Sequence, residues 1–116
     1  MENEKVYDLR KRSFNFSLDI IEFLKSLPNN YIDQVLCKQL LRCATSIGAN
    51  IIEAQAAPSK KDFANFYNIS LKSANETKYW LMLIEESSIA DTSLFLVEAE
   101  ELAKILAKSL LTMRGK

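Results

Sequence analysis

Apolar residues recur along the chain in steps of three and four, the spacing that places side chains on one face of an α-helix. Over residues 6–27 the stripe is Leu9, Phe16, Ile20, Phe23, Leu24 and Leu27, and it predicts a first helix. Pro28 closes that helix, because proline disfavours helical geometry at the residue before it. Asn30 is placed to cap a second helix over 31–57, with Asp33 as an acidic residue near its positive end. The core face of this helix is Leu36, Leu40, Ala44, Ile47, Ile51 and Ala54. A further stripe of Cys37, Leu41, Gly48 and Ile52 predicts burial on another side, against a second subunit. Gly48 costs about 1 kcal/mol in a helix interior, so its presence predicts the close approach of another helix.

Pro58-Ser59-Lys60-Lys61-Asp62 is a strong start signal, with Ser59 as N-cap and Asp62 three residues on. It opens a third helix over 60–86, whose inward face is Phe63, Phe66, Tyr67, Ser70, Ala74, Thr77, Leu81 and Ile84. Residues 87–91 break the pattern, Asp91 or Thr92 caps, and a fourth helix over 92–113 turns Phe95, Ala99, Leu102, Leu106 and Leu110 inward. Four helices on short links predict an all-α fold, an antiparallel up-down-up-down four-helix bundle, filling 1–116 as a single domain.

Composition narrows the chemistry. The chain has 116 residues, 48% of them hydrophobic, with only two Gly and two Pro, which suits long helices and disfavours a turn-rich sheet protein. Lys+Arg and Asp+Glu are equal at 15, so the global basic charge of a nucleic-acid binder is missing. The absence of histidine excludes His-based triads, Cys-His nucleophiles and Glu-x-x-His metal ligands. Cys37 and Cys43 stand about 9 Å apart in helix rise and cannot bridge, and two cysteines are too few for a Cys-rich zinc site. No cofactor is expected. The N-terminus lacks the basic and apolar regions of a signal peptide and no apolar run is long enough to span a membrane, so a cytoplasmic, non-membrane protein is expected.

A polar stripe flanks the second helix's apolar face, formed by Gln39, Arg42, Ser46, Asn50 and Glu53; Asp62, Ser73, Glu76 and Trp80 form its counterpart on the third. Antiparallel pairing brings Arg42 level with Ser73 and within a turn of Glu76. One reading is a satisfied polar seam or interface network that fixes register. Another is a carboxylate pair, Glu53 and Glu76, serving with Arg42 in a small hydrolase or ligand-binding bundle. Trp80, Tyr67 and Phe66 have the ring faces to stack on bases, or to fill the core. Bundle topology also gathers Lys5, Arg10, Lys11, Arg12, Lys60, Lys61, Lys108, Arg114 and Lys116 toward one end, diluted by Glu2, Glu4, Asp8, Glu53 and Asp62, while Asp33, Glu85, Glu86, Asp91, Glu98, Glu100 and Glu101 fall toward the other. Arg10, Lys11, Arg12, Lys60, Lys61 and Arg114 are the candidate nucleic-acid contacts.

The run from Gln39 to Glu53, with its Ser46-Ile47-Gly48-Ala49-Asn50-Ile51-Ile52-Glu53 core, followed by Ser59-Lys60-Lys61-Asp62-Phe63 and Ser73-Ala74-Asn75-Glu76, resembles the bacterial four-helix bundle proteins encoded in intervening sequences of 23S rRNA genes. Leu27-Pro28 and Tyr79-Trp80-Leu81 fit as well. The pattern is similar to that of the accessory proteins of diversity-generating retroelements, which assist a reverse transcriptase. The resemblance implies a homo-oligomer, a pentamer, associated with RNA or ribonucleoprotein and without enzymatic activity. It makes Arg42, Ser46, Asn50, Glu53, Ser73 and Glu76 the signature polar seam. Ala54, Ala57 and Lys72 depart from the family's usual glycine, basic and small residues at those positions, and the neutral charge departs from the basic retroelement relatives.

Overall fold

Four helices form where the stripes place them: α1 (Glu2–Lys25), α2 (Tyr31–Gln55), α3 (Lys60–Glu86) and α4 (Ser93–Arg114). The computed structural model describes residues 2–28 and 30–115, with side chains from residue 8 onward; the side chains of Glu2, Glu4 and Lys5, and Asn29 and Lys116 altogether, lie outside the described residues. The helices run antiparallel in a rod of 47 × 21 × 21 Å. Contact is most extensive between α2 and α3, then α3 and α4, then α1 and α2, and sparse between α1 and α4.

Local chemistry sets the ends. Asn30 caps α2, its side-chain oxygen accepting from the Asp33 N–H at 2.9 Å while its amide donates to the Asp33 carboxylate at 2.7 Å. Ser59 caps α3 by accepting from the Asp62 N–H at 3.1 Å and donating to its carboxylate at 3.0 Å. Both helices preceding a proline stop earlier than their apolar patterns suggest. Ser26 and Leu27 donate to Phe23 and Leu24, and Ala56 and Ala57 to Glu53 and Ala54, so each last turn tightens to three-residue spacing before Pro28 or Pro58. At the end of α3, Ser88 takes a positive φ of 61°. Its N–H reaches Glu85 and the Ile89 N–H reaches Ile84, a Schellman closure that a glycine would adopt without cost. Thr92 flanks α4 without a side-chain cap bond; Asp91 accepts from the Ser93 N–H and hydroxyl instead.

The core contains Ile20, Leu40, Ile47, Ile51, Leu81, Ile84, Leu102 and Leu106, all fully buried. Each contributes about 1.5–3 kcal/mol by leaving water. Phe23, Leu24, Leu36, Phe63, Phe66 and Phe95 sit at the rim rather than in the centre. Small polar residues fill what these large side chains leave: Ser13, Ser70, Thr77 and Thr92 are completely buried, each donating its hydroxyl to a backbone carbonyl. Gly48 corrects one expectation. Its close neighbour is α1 of the same chain, since a Cβ there would lie 3.2 Å from Ser13 Oγ and 3.3 Å from the Ser13 carbonyl oxygen. The stripe assigned to a second subunit is therefore split. Gly48 is covered by α1, Cys37 is half-buried, and Leu41 and Ile52 remain exposed.

Candidate functional site

The α2/α3 contact is a seam of hydroxyls and small side chains. Ser73 Oγ donates to Ser46 Oγ at 2.9 Å, and Asn50 donates to the Ser46 hydroxyl at 3.0 Å and to its carbonyl at 2.8 Å. Beneath them Ser70 donates to the Ile47 carbonyl at 2.8 Å, a tie between the two helices made by a fully buried side chain. Small residues here let the backbones approach closely, and each hydroxyl satisfies a group that would otherwise be buried unpaired. At the seam's outer edge Arg42 lies 3.6 Å from Glu76 and 3.1 Å from Gln39 Oε1. This ion pair faces solvent, with the Arg42 side chain 69% exposed.

Glu53 does not join Glu76. Arg42 is level with Glu76, and from Arg42 to Glu53 α2 rises about 16 Å. The two carboxylates therefore sit at different heights, and the pairing expected of a hydrolytic acid and base is not formed. Glu53 is exposed near the α2/α3 turn. Trp80 stands further along the seam with its ring edge-on to Tyr79 at 5.1 Å, and its indole N–H is buried without a partner. Tyr67 is buried and packs on Phe63 at 4.6 Å, which removes it from any base-stacking surface. Burial pushes its phenol up, against the hydrogen bond of Gln55 and the charge of Arg10. Burial likewise raises the thiols of Cys37 and Cys43, which are free. Among the described residues no group of three or more acidic or cysteine side chains could hold a metal ion.

The basic positions divide. Lys60 and Lys61 open α3 and Arg114 ends α4, all exposed at one end of the rod. Lys11 is exposed nearer the middle of the bundle. Arg10 is half-buried and lies close enough to Tyr67 to act on its phenol. Arg12 is corrected most: its guanidinium grips Glu98 through two hydrogen bonds of 2.8 and 3.1 Å, with both side chains about one-third exposed. That bond, more than burial's opposing effect, holds its pKa above the ordinary value. Sequence reasoning misses Ser13, and it places Glu98 at the end of the bundle away from Arg12, with which it pairs. Ser13 lay four residues after Leu9 and three before Phe16, on the predicted apolar face; its polarity alone concealed it.

Hydroxyl-tied middle helices, a shared apolar core and antiparallel order define the class of protein as an up-down four-helix bundle. Within that class the sequence narrows the assignment. The chain belongs to the 23S rRNA-intervening sequence protein family, whose family model matches residues 5–108. A crystal structure of a protein of unknown function from the S23 ribosomal protein family of Bacteroides thetaiotaomicron is similar to it, with a TM-score of 0.84 and 38% identity, over 91% of this chain and 97% of that one. No curated protein matches. Among the described residues no helix is long and apolar enough to cross a membrane.

Proposed function

We propose that this chain is a non-enzymatic, homo-oligomeric scaffold that contacts RNA or ribonucleoprotein through the basic end of its bundle. The observation that carries this reading is the convergence of exposed Lys60, Lys61 and Arg114 at one end of a molecule whose net charge is zero. Parallel copies would repeat that end into one charged face, concentrating a field that a single copy lacks. Exposed Leu41 and Ile52 on α2 and Ile69 and Tyr79 on α3 supply apolar surface for self-association. The resemblance sets the expected number of subunits at five. Against a hydrolase stands the separation of Glu53 from Glu76, with Arg42 held in a solvent-facing pair.

The test is fluorescence anisotropy with a mixed-sequence RNA hairpin over a salt series, beside the solution mass by light scattering. Affinity that falls steeply with salt, is lost in the Lys60→Gln, Lys61→Gln, Arg114→Gln triple variant and is retained in Arg12→Gln supports the reading. An intact oligomer that ignores RNA at low salt removes the RNA contact, and a monomer removes the scaffold.

A further inference from the structure

The sparse contact between α1 and α4 leaves an open groove of about 510 Å³ between them. Its floor is aromatic: Phe16 is buried there, and Phe23 and Phe95 pack tilted at 4.8 Å. At its mouth Leu94 is 83% exposed, the most exposed large apolar side chain among the described residues. The rim is acidic, with Asp19 and Glu22 from α1 and Glu98 from α4. Glu98 is already neutralised by Arg12, and Lys25 stands 3.8 Å from Glu22 with both side chains largely exposed. Asp19 makes no ion pair among the described residues, and Glu101 adds its field close to Arg12. Three carboxylates against the cations of Arg12 and Lys25 leave the rim net negative beside the partly exposed Phe23 and Phe95 and the open Leu94, a combination unfavourable to RNA and anionic lipid. It suits an apolar surface that brings its own cations.

We propose that this groove receives an amphipathic helix of a partner protein, with an apolar stripe for the aromatic floor and flanking Lys or Arg for the rim. Helical form follows from the site. The trough lies between two antiparallel helices, and along α1 its lining runs from Phe16 to Phe23, about 10 Å or two helical turns. The walls are helices with no open strand edge to pair with an extended peptide, so side-chain packing in the groove is the mode of recognition available. The groove lies on the opposite flank of the rod from the α2/α3 seam, so this proposal stands apart from the RNA reading.

The test selects binders from a displayed library of helical peptides of about 18 residues, randomised at the positions flanking a fixed apolar stripe, against the full-length protein. Enriched peptides carry Lys or Arg at the flanks, and their affinity by fluorescence anisotropy falls about tenfold or more in Leu94→Asp and in the Asp19→Lys, Glu22→Lys pair. Leu111→Asp, on an exposed leucine outside the groove, leaves it unchanged. Leu94 is exposed enough for its variant to fold, which circular dichroism verifies. Flanks without a basic bias, or affinity indifferent to Leu94→Asp, overturns the proposal. So does a lower solution mass of Leu94→Asp, which makes the groove a contact between copies.

Discussion

Among the described residues two arginine–glutamate pairs join neighbouring helices, and they act in opposite settings. Arg12 and Glu98 bridge α1 and α4, where apolar contact is sparse, through paired bonds that hold both groups partly out of water. Arg42 and Glu76 decorate α2 and α3, where the contact is most extensive, at 3.6 Å and facing solvent. The ion pair is better formed where packing is poorer. Across the middle helices, Ser46, Ser70 and Ser73 already fix register from within, so the exterior charges add little. Across the outer pair, one bidentate contact holds the helices together beside an aromatic trough that neither helix fills.

The largest test of this contrast acts on the packed side. Gly48→Leu forces a side chain into Ser13 and its carbonyl, so chemical denaturation is expected to show a loss of about 3 kcal/mol. A melting curve that does not move would mean α1 lies further from α2 than the geometry gives. On the open side, Arg12→Ala removes the contact between α1 and α4 and is expected to cost about 1 kcal/mol, falling with added salt. Ser88→Gly touches neither seam. By relieving the left-handed residue at the end of α3 it should raise stability by about 0.5–1 kcal/mol, a rise in melting temperature that sets the scale for the other variants. The smallest effect belongs to Arg42→Ala, within about 0.5 kcal/mol because its partner remains hydrated. Were Arg42→Ala to cost more than Arg12→Ala, the two seams would have been ranked in the wrong order.

The acid limb follows the same logic of local contacts. The Ser93 N–H and then its hydroxyl hold Asp91 below its ordinary carboxylate value, and the Lys78 hydrogen bond does the same for Glu100. A depressed folded-state pKa contributes stability that is present above the unfolded value and is lost as pH falls through the folded one. Both groups are exposed, so this is a gentle acid slope along the first turns of α4 rather than a switch.

The sequence by itself determined the number of helices, their order and most of their ends, because those depend on periodicity and on neighbours a few residues away. Asn30, Ser59 and the two prolines act locally, and the stripes through Leu40, Ile47, Leu81 and Leu102 find the core for the same reason. The seam was legible to within one turn: counted register sets Arg42 level with Ser73 and a turn from Glu76, whereas Ser73 meets Ser46 and Arg42 meets Glu76. Tertiary structure alone decided which polar residues are interior and which charges are engaged. Ser13 looks like a surface residue until neighbouring helices close over it, and Arg12 looks like part of a basic end until α4 presents Glu98. Which flank stays open was likewise settled only by packing. Four apolar stripes can close around a core in slightly different rotations, and the groove beneath Leu94 exists because α1 and α4 are each drawn more strongly to their other neighbour.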